Sequence, residues 1–164
     1  MGDDAMNGFS RLGLAAICSA LVATTALAQP PGPPTPEQQA QNAVKLRKGL
    51  FDVQSYSFGP VGAMLRGAPF DAAVAEKAAV RVEFTSGLIP EVFNNDTRKF
   101  QLETKAREGI WTNKSDFDAK AKDLQEAAKT LEAAAKTGDK DATIKAAQAV
   151  GKACGACHDQ FRDK

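Results

Sequence analysis

Apolar residues recur at helical spacing over most of the chain. Alternating spacings of four and three residues are typical of one face of an α-helix. After Ser115 or Asp116 such a series comprises Phe117, Ala121, Leu124, Ala128, Leu131 and Ala135. Gly138 is expected to end that helix, and Asp139 to cap the next one.

The first helix is predicted to follow a proline-rich stretch. Thr35 is expected as its N-cap, and Gln38 completes a capping box. Apolar residues then recur every seven positions and form a seam along the helix: Val44, Phe51, Phe58 and Leu65. Pro60 should kink this helix because proline lacks the amide donor, and Gly67 should end it.

The remaining pattern completes an all-α prediction. A second helix is expected from Asp71 until residues 87–90, followed by a polar connection over residues 94–113 with a helical turn around residues 102–107. The last helix carries an inward series of Ala147, Val150, Cys154, Cys157 with His158, and Phe161. Four amphipathic helices with short first and third links predict an antiparallel four-helix bundle over residues 36–164.

The first 28 residues are typical of a cleaved secretory signal peptide. Arg11 precedes an uncharged apolar stretch, and that stretch ends in an Ala-x-Ala pattern at residues 26–28. A true start at Met6 would remove Asp3 and Asp4, which do not suit the positive start of such a peptide. Cys18 is not expected to carry a lipid anchor, because a bulky residue precedes it. We therefore expect a leader over residues 1–28, a proline-rich tether over residues 29–35, and an exported protein without a membrane anchor.

The net charge and the least frequent residue types limit the kinds of function that the chain can have. The chain has 164 residues with 21 Lys and Arg against 20 Asp and Glu, a formal charge of +1 that argues against nucleic-acid binding. Beyond the leader the only cysteines are Cys154 and Cys157, and His158 is the single histidine. Export implies an oxidising compartment, where two free thiols close together would be expected to react.

Residues 154–158 read Cys-Gly-Ala-Cys-His, and C-x-x-C-H is the attachment signature of c-type haem. Two thiols three residues apart can form thioether bonds to the two haem vinyl groups, and the adjacent imidazole can reach the iron. On a helix, Cys154, Cys157 and His158 lie within an arc of about 100°. This arc is also the core-facing side, so we expect the haem to bind against the bundle core.

Three other kinds of site fit the C-x-x-C-H residues less well. A thioredoxin-like redox site needs a βαβ context, and the sequence pattern predicts no strand. A zinc site needs four ligands, and beyond the leader the chain has no further cysteine and no further histidine to complete one. A disulfide within one helix between residues three apart has poor geometry. A haem-free interaction bundle is the remaining alternative.

Residues 36–164 resemble the class II c-type cytochromes, and specifically the cytochrome c′ family. In that family the C-x-x-C-H motif lies near the C-terminus of the last helix of an antiparallel four-helix bundle. Besides the motif at residues 154–158, the resemblance rests on weaker matches in the same order: Ala43-Val44-Lys45 with Arg47, residues 67–71, Ile110-Trp111, and Phe161-Arg162. The resemblance implies one covalently attached haem c, near the end of the last helix, in a periplasmic protein.

The resemblance also implies which residues face the iron. His158 would be the proximal ligand, and Phe51 on the first helix would lie on the distal side, with Leu50 as the alternative in a shifted register. Phenylalanine has no ligating atom, so the iron would be five-coordinate and high-spin. Only six residues follow His158, and Met64 lies 13 residues beyond Phe51, about 20 Å further along an ideal helix. No methionine follows His158, and Met64 lies too far along the helix, so the sequence offers no methionine as a sixth ligand.

Three further residues are candidates for contacts with the haem. Arg47 is a candidate partner for a haem propionate, with a solvated surface role as the alternative. Trp111 resembles the family's tryptophan near the haem, although a single tryptophan is also common in a core or an interface. Arg162 lies four residues beyond His158 and resembles the basic residue beside the proximal imidazole, which influences NO access to the proximal face.

These expectations favour a protein that binds NO and CO, and that carries electrons or protects against NO. An open apolar pocket suits small neutral diatomic ligands, while O₂ would lack a distal hydrogen-bond donor. The alternative is a low-spin, six-coordinate electron carrier, which would need a ligating side chain opposite His158. No feature indicates bond-making catalysis. The redox partner is unidentified, and the family suggests a homodimer formed through the first two helices.

Overall fold

The computed structural model describes residues 32–164. In this part of the chain the helices are α1 (Pro36–Leu65), α2 (Ala72–Gly87), α3 (Ile89–Val92), α4 (Gly109–Thr112), α5 (Lys114–Lys136) and α6 (Lys140–Phe161). The long helices α1, α2, α5 and α6 form the predicted antiparallel four-helix bundle, and α3 and α4 are single turns. The predicted signal peptide and the first part of the tether lie outside the described residues.

The helix ends follow the predicted local chemistry. The Thr35 hydroxyl accepts from the Gln38 amide at 3.2 Å, and the Gln38 side chain accepts from the Thr35 amide at 2.8 Å. Asp71 and Asp139 cap α2 and α6 in the same manner, each accepting a backbone amide at 3.0 Å. Gly138, which ends α5, has a φ of 73°, a conformation that glycine adopts without steric cost. These contacts confirm the predicted capping box and caps.

One segment departs from the predicted helices, and the kink expected at Pro60 stays a prediction. The first helix runs on through Pro60, which lies on its exposed face, where water can solvate the unpartnered carbonyl. The helical turn expected at residues 102–107 is wrong, since the turn forms at Gly109–Thr112 instead. The reason is that the backbone of Lys105 and Arg107 bonds to the end of α6 in an isolated bridge, so it is not available for a helix.

The interior contains two kinds of packing. On α2, α5 and α6 it is built from small side chains around one leucine, all 0–3% exposed, and we call this set the alanine core: Ala75, Ala79, Ala128, Leu131, Ala135 and Ala147. On α1 the predicted seam starts with buried Val44, but Phe51, Phe58 and Leu65 are only half-buried. These three side chains pack against the core on one side and line a cavity on the other.

Candidate haem site

A cavity of about 950 Å³, partly open to solvent, lies between α1 and α6. Most of its wall is apolar and comes from Val44, Phe51, Phe58, Leu65, Val82, Phe93, Ile110, Phe117, Val150 and Phe161. Its volume is at the upper end of the range of about 300–1,000 Å³ for cofactor and ligand sites. Protein interiors are otherwise close-packed, so an apolar space of this size is suited to a large apolar group.

The C-x-x-C-H residues all line this cavity from the last two turns of α6. Cys154 and Cys157 are half-buried free thiols. Burial raises the pKa of both, that of Cys157 to about 11, so both remain protonated at neutral pH. His158 reaches the cavity at its exposed rim. Burial and the nearby positive charge of Arg162 lower the pKa of His158, which favours the neutral imidazole that binds metals.

Phe51 is the α1 residue that corresponds to the predicted distal position, and its side chain lines the cavity. Leu50, the alternative, is half-buried against the core and is absent from the cavity wall. The Phe51 ring lies 6.2 Å from the Phe93 ring, centroid to centroid. Met64 is likewise absent from the wall. Phe51 and Phe93 therefore present aromatic rings to the cavity, and neither ring carries a ligating atom.

Arg47 lies at the cavity but is only 3% exposed, so the surface alternative is wrong. Its guanidinium donates to the Val92 carbonyl at 2.8 Å, to the Thr97 hydroxyl at 3.0 Å and to the Asn95 carbonyl. It also lies 4.6 Å from the centroid of the Phe93 ring. Desolvation lowers the pKa of Arg47. These contacts tie the connection after α3 to α1.

The other two candidates for haem contacts, Arg162 and Trp111, differ in whether they line the cavity. Arg162 is exposed and lines the cavity together with His158. Trp111 does not line the cavity, but packs 6.1 Å from Phe93 and donates its indole N–H to the Phe93 carbonyl at 3.0 Å. Trp111 thus supports the cavity wall from behind.

Sequence reasoning missed two contributions from the long connection. Phe93 contacts Phe51, Trp111 and Phe117, and its only sequence signal was an apolar pair just before a polar run. Residues 103–106 also line the cavity near His158 and Arg162. No period or motif marks them, because they adopt irregular backbone.

A four-helix bundle with C-x-x-C-H at the end of its last helix, beside an aromatic cavity, has the architecture of a class II c-type cytochrome. The sequence profile described as Cytochrome C' matches residues 42–162. The chain therefore belongs to the cytochrome c′ family.

Individual relatives agree with this assignment. The chain is 39% identical over 129 residues to a cytochrome c' of Rubrivivax gelatinosus, covering 77% of this chain and 98% of that protein. It is 34% identical over 153 residues to a cytochrome c-554 of Cereibacter sphaeroides, covering 91% of this chain and 95% of that protein. Among solved structures, a nitric oxide complex of a cytochrome c prime variant from Alcaligenes xylosoxidans matches with a TM-score of 0.67 and 32% identity, covering 76% of this chain and 96% of that chain.

Members of the family are haem proteins that transfer electrons or bind ligands, and homologues are periplasmic and bind haem c. The residues of this chain fit that cofactor: two thiols and one imidazole on one side of α6 open into an apolar cavity of cofactor size. Between residues 32 and 164 no helix combines the length and the apolar character needed to cross a membrane.

Proposed function

We propose that this chain is an exported, periplasmic protein with one haem c attached through Cys154 and Cys157. His158 is the proximal ligand, the iron is five-coordinate and high-spin, and the protein binds NO and CO. One observation carries the coordination state. Phe51 is the seam residue at the middle of the α1 wall, and neither a methionine nor a second histidine lines the cavity. The solved nitric oxide complexes of similar proteins support NO as the ligand.

When bound, haem c would supply an iron atom that can bind a diatomic ligand and exchange one electron. The residues of the chain set the conditions for this. His158 presents a neutral imidazole at physiological pH, because burial and Arg162 lower its pKa. The Phe51 and Phe93 rings keep water away from the distal side and offer no donor to O₂. Uncharged NO and CO lose little solvation on entering such a pocket.

The remaining site residues have distinct parts in this proposal. Arg162 lies beside the proximal imidazole and influences which ligands approach that face. The three loop contacts of Arg47 support a role in holding the distal wall, and a propionate contact would use its remaining N–H groups. Trp111 acts through Phe93. We assign no bond-making catalysis to the protein, and its electron-transfer partner is unidentified.

The exposed apolar residues of α1 and α2 support a homodimer. Large apolar side chains that are 36–76% exposed lie on these two helices: Leu46, Val53, Tyr56, Val74, Val80 and Phe84. Exposed apolar clusters of this kind commonly mark protein–protein contacts. Light scattering on the mature protein should give twice the chain mass, and Phe84→Asp should give the chain mass.

Anaerobic titration of the reduced mature protein with NO, followed by visible absorption and electron paramagnetic resonance, tests the proposed function. We expect stoichiometric uptake with one NO per haem. An unchanged spectrum would contradict the proposal and favour the alternative, a six-coordinate electron carrier. The Met64→Leu variant is a matched control, and its spectrum should equal that of the wild type.

A further inference from the structure

The helix that carries the C-x-x-C-H motif ends three residues after His158. The last four carbonyl groups of any α-helix lack partners within the helix. In α6 these belong to residues 158–161. The helix lacks a glycine cap in the left-handed conformation, because Arg162 continues in extended backbone with φ −128° and ψ 133°. Partners for these carbonyls must therefore come from elsewhere.

One residue of the long connection supplies most of them. The Arg107 guanidinium donates to the Asp159 carbonyl at 2.9 Å and to the Gln160 carbonyl at 3.3 Å. The Arg107 backbone amide donates to the Phe161 carbonyl at 3.0 Å. Only the His158 carbonyl accepts a hydrogen bond from the end of the helix itself, where the Arg162 amide donates to it at 3.1 Å.

Further contacts hold Arg107 in this position. Its Nε donates to the Asp163 carboxylate at 2.9 Å, and the Asp163 amide donates to the Lys105 carbonyl at 2.9 Å. A positive charge at a helix C-terminus also interacts favourably with the helix dipole. These contacts join segments about 55 residues apart in sequence, and we call them the Arg107 clasp.

We infer that Arg107 is a positioning residue for the proximal ligand. It caps the last turn of α6 and thereby fixes the orientation of the His158 imidazole. Helix ends fray unless their terminal groups are satisfied, and fraying at residues 158–161 would let the His158 backbone rotate. This inference rests on the proposed function in one respect, the assignment of His158 to the iron.

The test compares the mature haem protein with its Arg107→Ala variant. Arg98→Ala is the matched control, since it removes an arginine and an exposed ion pair from the same connection without touching α6. The first readout is hydrogen exchange of the backbone amides of residues 158–163. The second is the hyperfine-shifted proton resonances of His158 in the ferric protein, which report ring orientation in either spin state.

We expect Arg107→Ala to speed exchange at the end of α6 by about two- to tenfold, the effect of losing the net contribution of one hydrogen bond at a helix end. The His158 resonances should shift or broaden, and Arg98→Ala should leave both readouts as in the wild type. Unchanged exchange would overturn the clasp. Faster exchange with unchanged His158 resonances would overturn the positioning role. If Arg107→Ala does not fold, Arg107→Lys, which keeps the charge but not the forked donors, is measured against the same two criteria.

Failure of the proposed function gives a different result. If the protein does not take up NO, the titration fails, whereas the exchange and resonance differences between the two variants remain measurable. The two hypotheses are therefore tested separately.

Discussion

The alanine core and the cavity are built on the same helical period but differ in side-chain size. In the alanine core, methyl groups and one leucine let α2, α5 and α6 approach closely, and every member is 0–3% exposed. On α1, residues of the seam such as Phe51 and Phe58 remain half-buried around about 950 Å³ of space. The side chains of the alanine core fill the space between their helices without a ligand. The space at the cavity is filled only when a ligand is bound.

The largest effect should follow from removing both attachment thiols. Without haem, the apolar side chains of the cavity wall would be left facing water, and apolar surface that stays exposed contributes none of the roughly 25 cal/mol per Å² gained on burial. We expect Cys154→Ala with Cys157→Ala to retain no haem on a denaturing gel and to lose the near-ultraviolet circular dichroism of fixed aromatic side chains.

The single variant Cys154→Ala is the control, since one thioether bond remains. A double variant without haem that keeps the near-ultraviolet signal and unfolds cooperatively would contradict the distinction between the two regions.

Shortening a side chain in the alanine core should mainly lower stability, whereas shortening one at the cavity should mainly change the haem spectrum. Leu131 is fully buried in the alanine core, so Leu131→Ala should lower the free energy of unfolding by about 2–5 kcal/mol and leave the visible spectrum unchanged. Phe58 is half-buried at the cavity, so Phe58→Ala should cost less stability and should perturb the haem spectrum. Urea unfolding and absorption spectra measure both. A larger loss of stability at Phe58 would reverse the comparison.

Substitutions of similar size at the cavity wall should change coordination more than stability. Phe51→Met places a thioether at the distal position, and we expect a six-coordinate, low-spin spectrum with weakened CO binding. Leu50→Met is the matched control, because Leu50 lies outside the cavity wall and its spectrum should stay high-spin. If only Leu50→Met became low-spin, the distal assignment would move to that residue.

The smallest effect is expected from an ion pair that belongs to neither region. Hydrogen bonds from Arg98 lower the pKa of Asp96, and both side chains are exposed. A depressed carboxyl pKa stabilises the folded state above its unfolded value of about 3.9 and loses that contribution as the pH falls through the folded pKa. Wild type and Asp96→Asn should therefore differ slightly in melting temperature at neutral pH and converge as the pH falls below the folded-state pKa of Asp96. A difference that grows on acidification would contradict this sign.

The parts of the fold that local chemistry determines could be predicted. The capping box at Thr35, the caps at Asp71 and Asp139, and the small-residue face of α5 each depend on neighbours in sequence, and the structure confirms them. The C-x-x-C-H motif is also local, because its three functional groups lie on adjacent turns of one helix.

Contacts between distant segments could not be predicted. The hydrogen bonds of Arg47 join α1 to residues 92–97, which begin 45 residues further along the chain. The Arg107 clasp joins the long connection to the end of α6, up to 56 residues away. The helical turn predicted at residues 102–107 does not form, because the backbone of Lys105 and Arg107 bonds to residues at the end of α6. Irregular segments carry no hydrophobic period, so their partners emerge only from the three-dimensional structure.

The most direct test of the haem-site assignment is the visible absorption spectrum of the dithionite-reduced mature protein before and after CO is added. With Phe51 over a free axial position, we predict a broad, unsplit visible band that changes when CO binds. Sharp, split α and β bands that do not respond to CO would mean that a side chain occupies the sixth position. That result would contradict the assignment of Phe51 and make the protein an electron carrier.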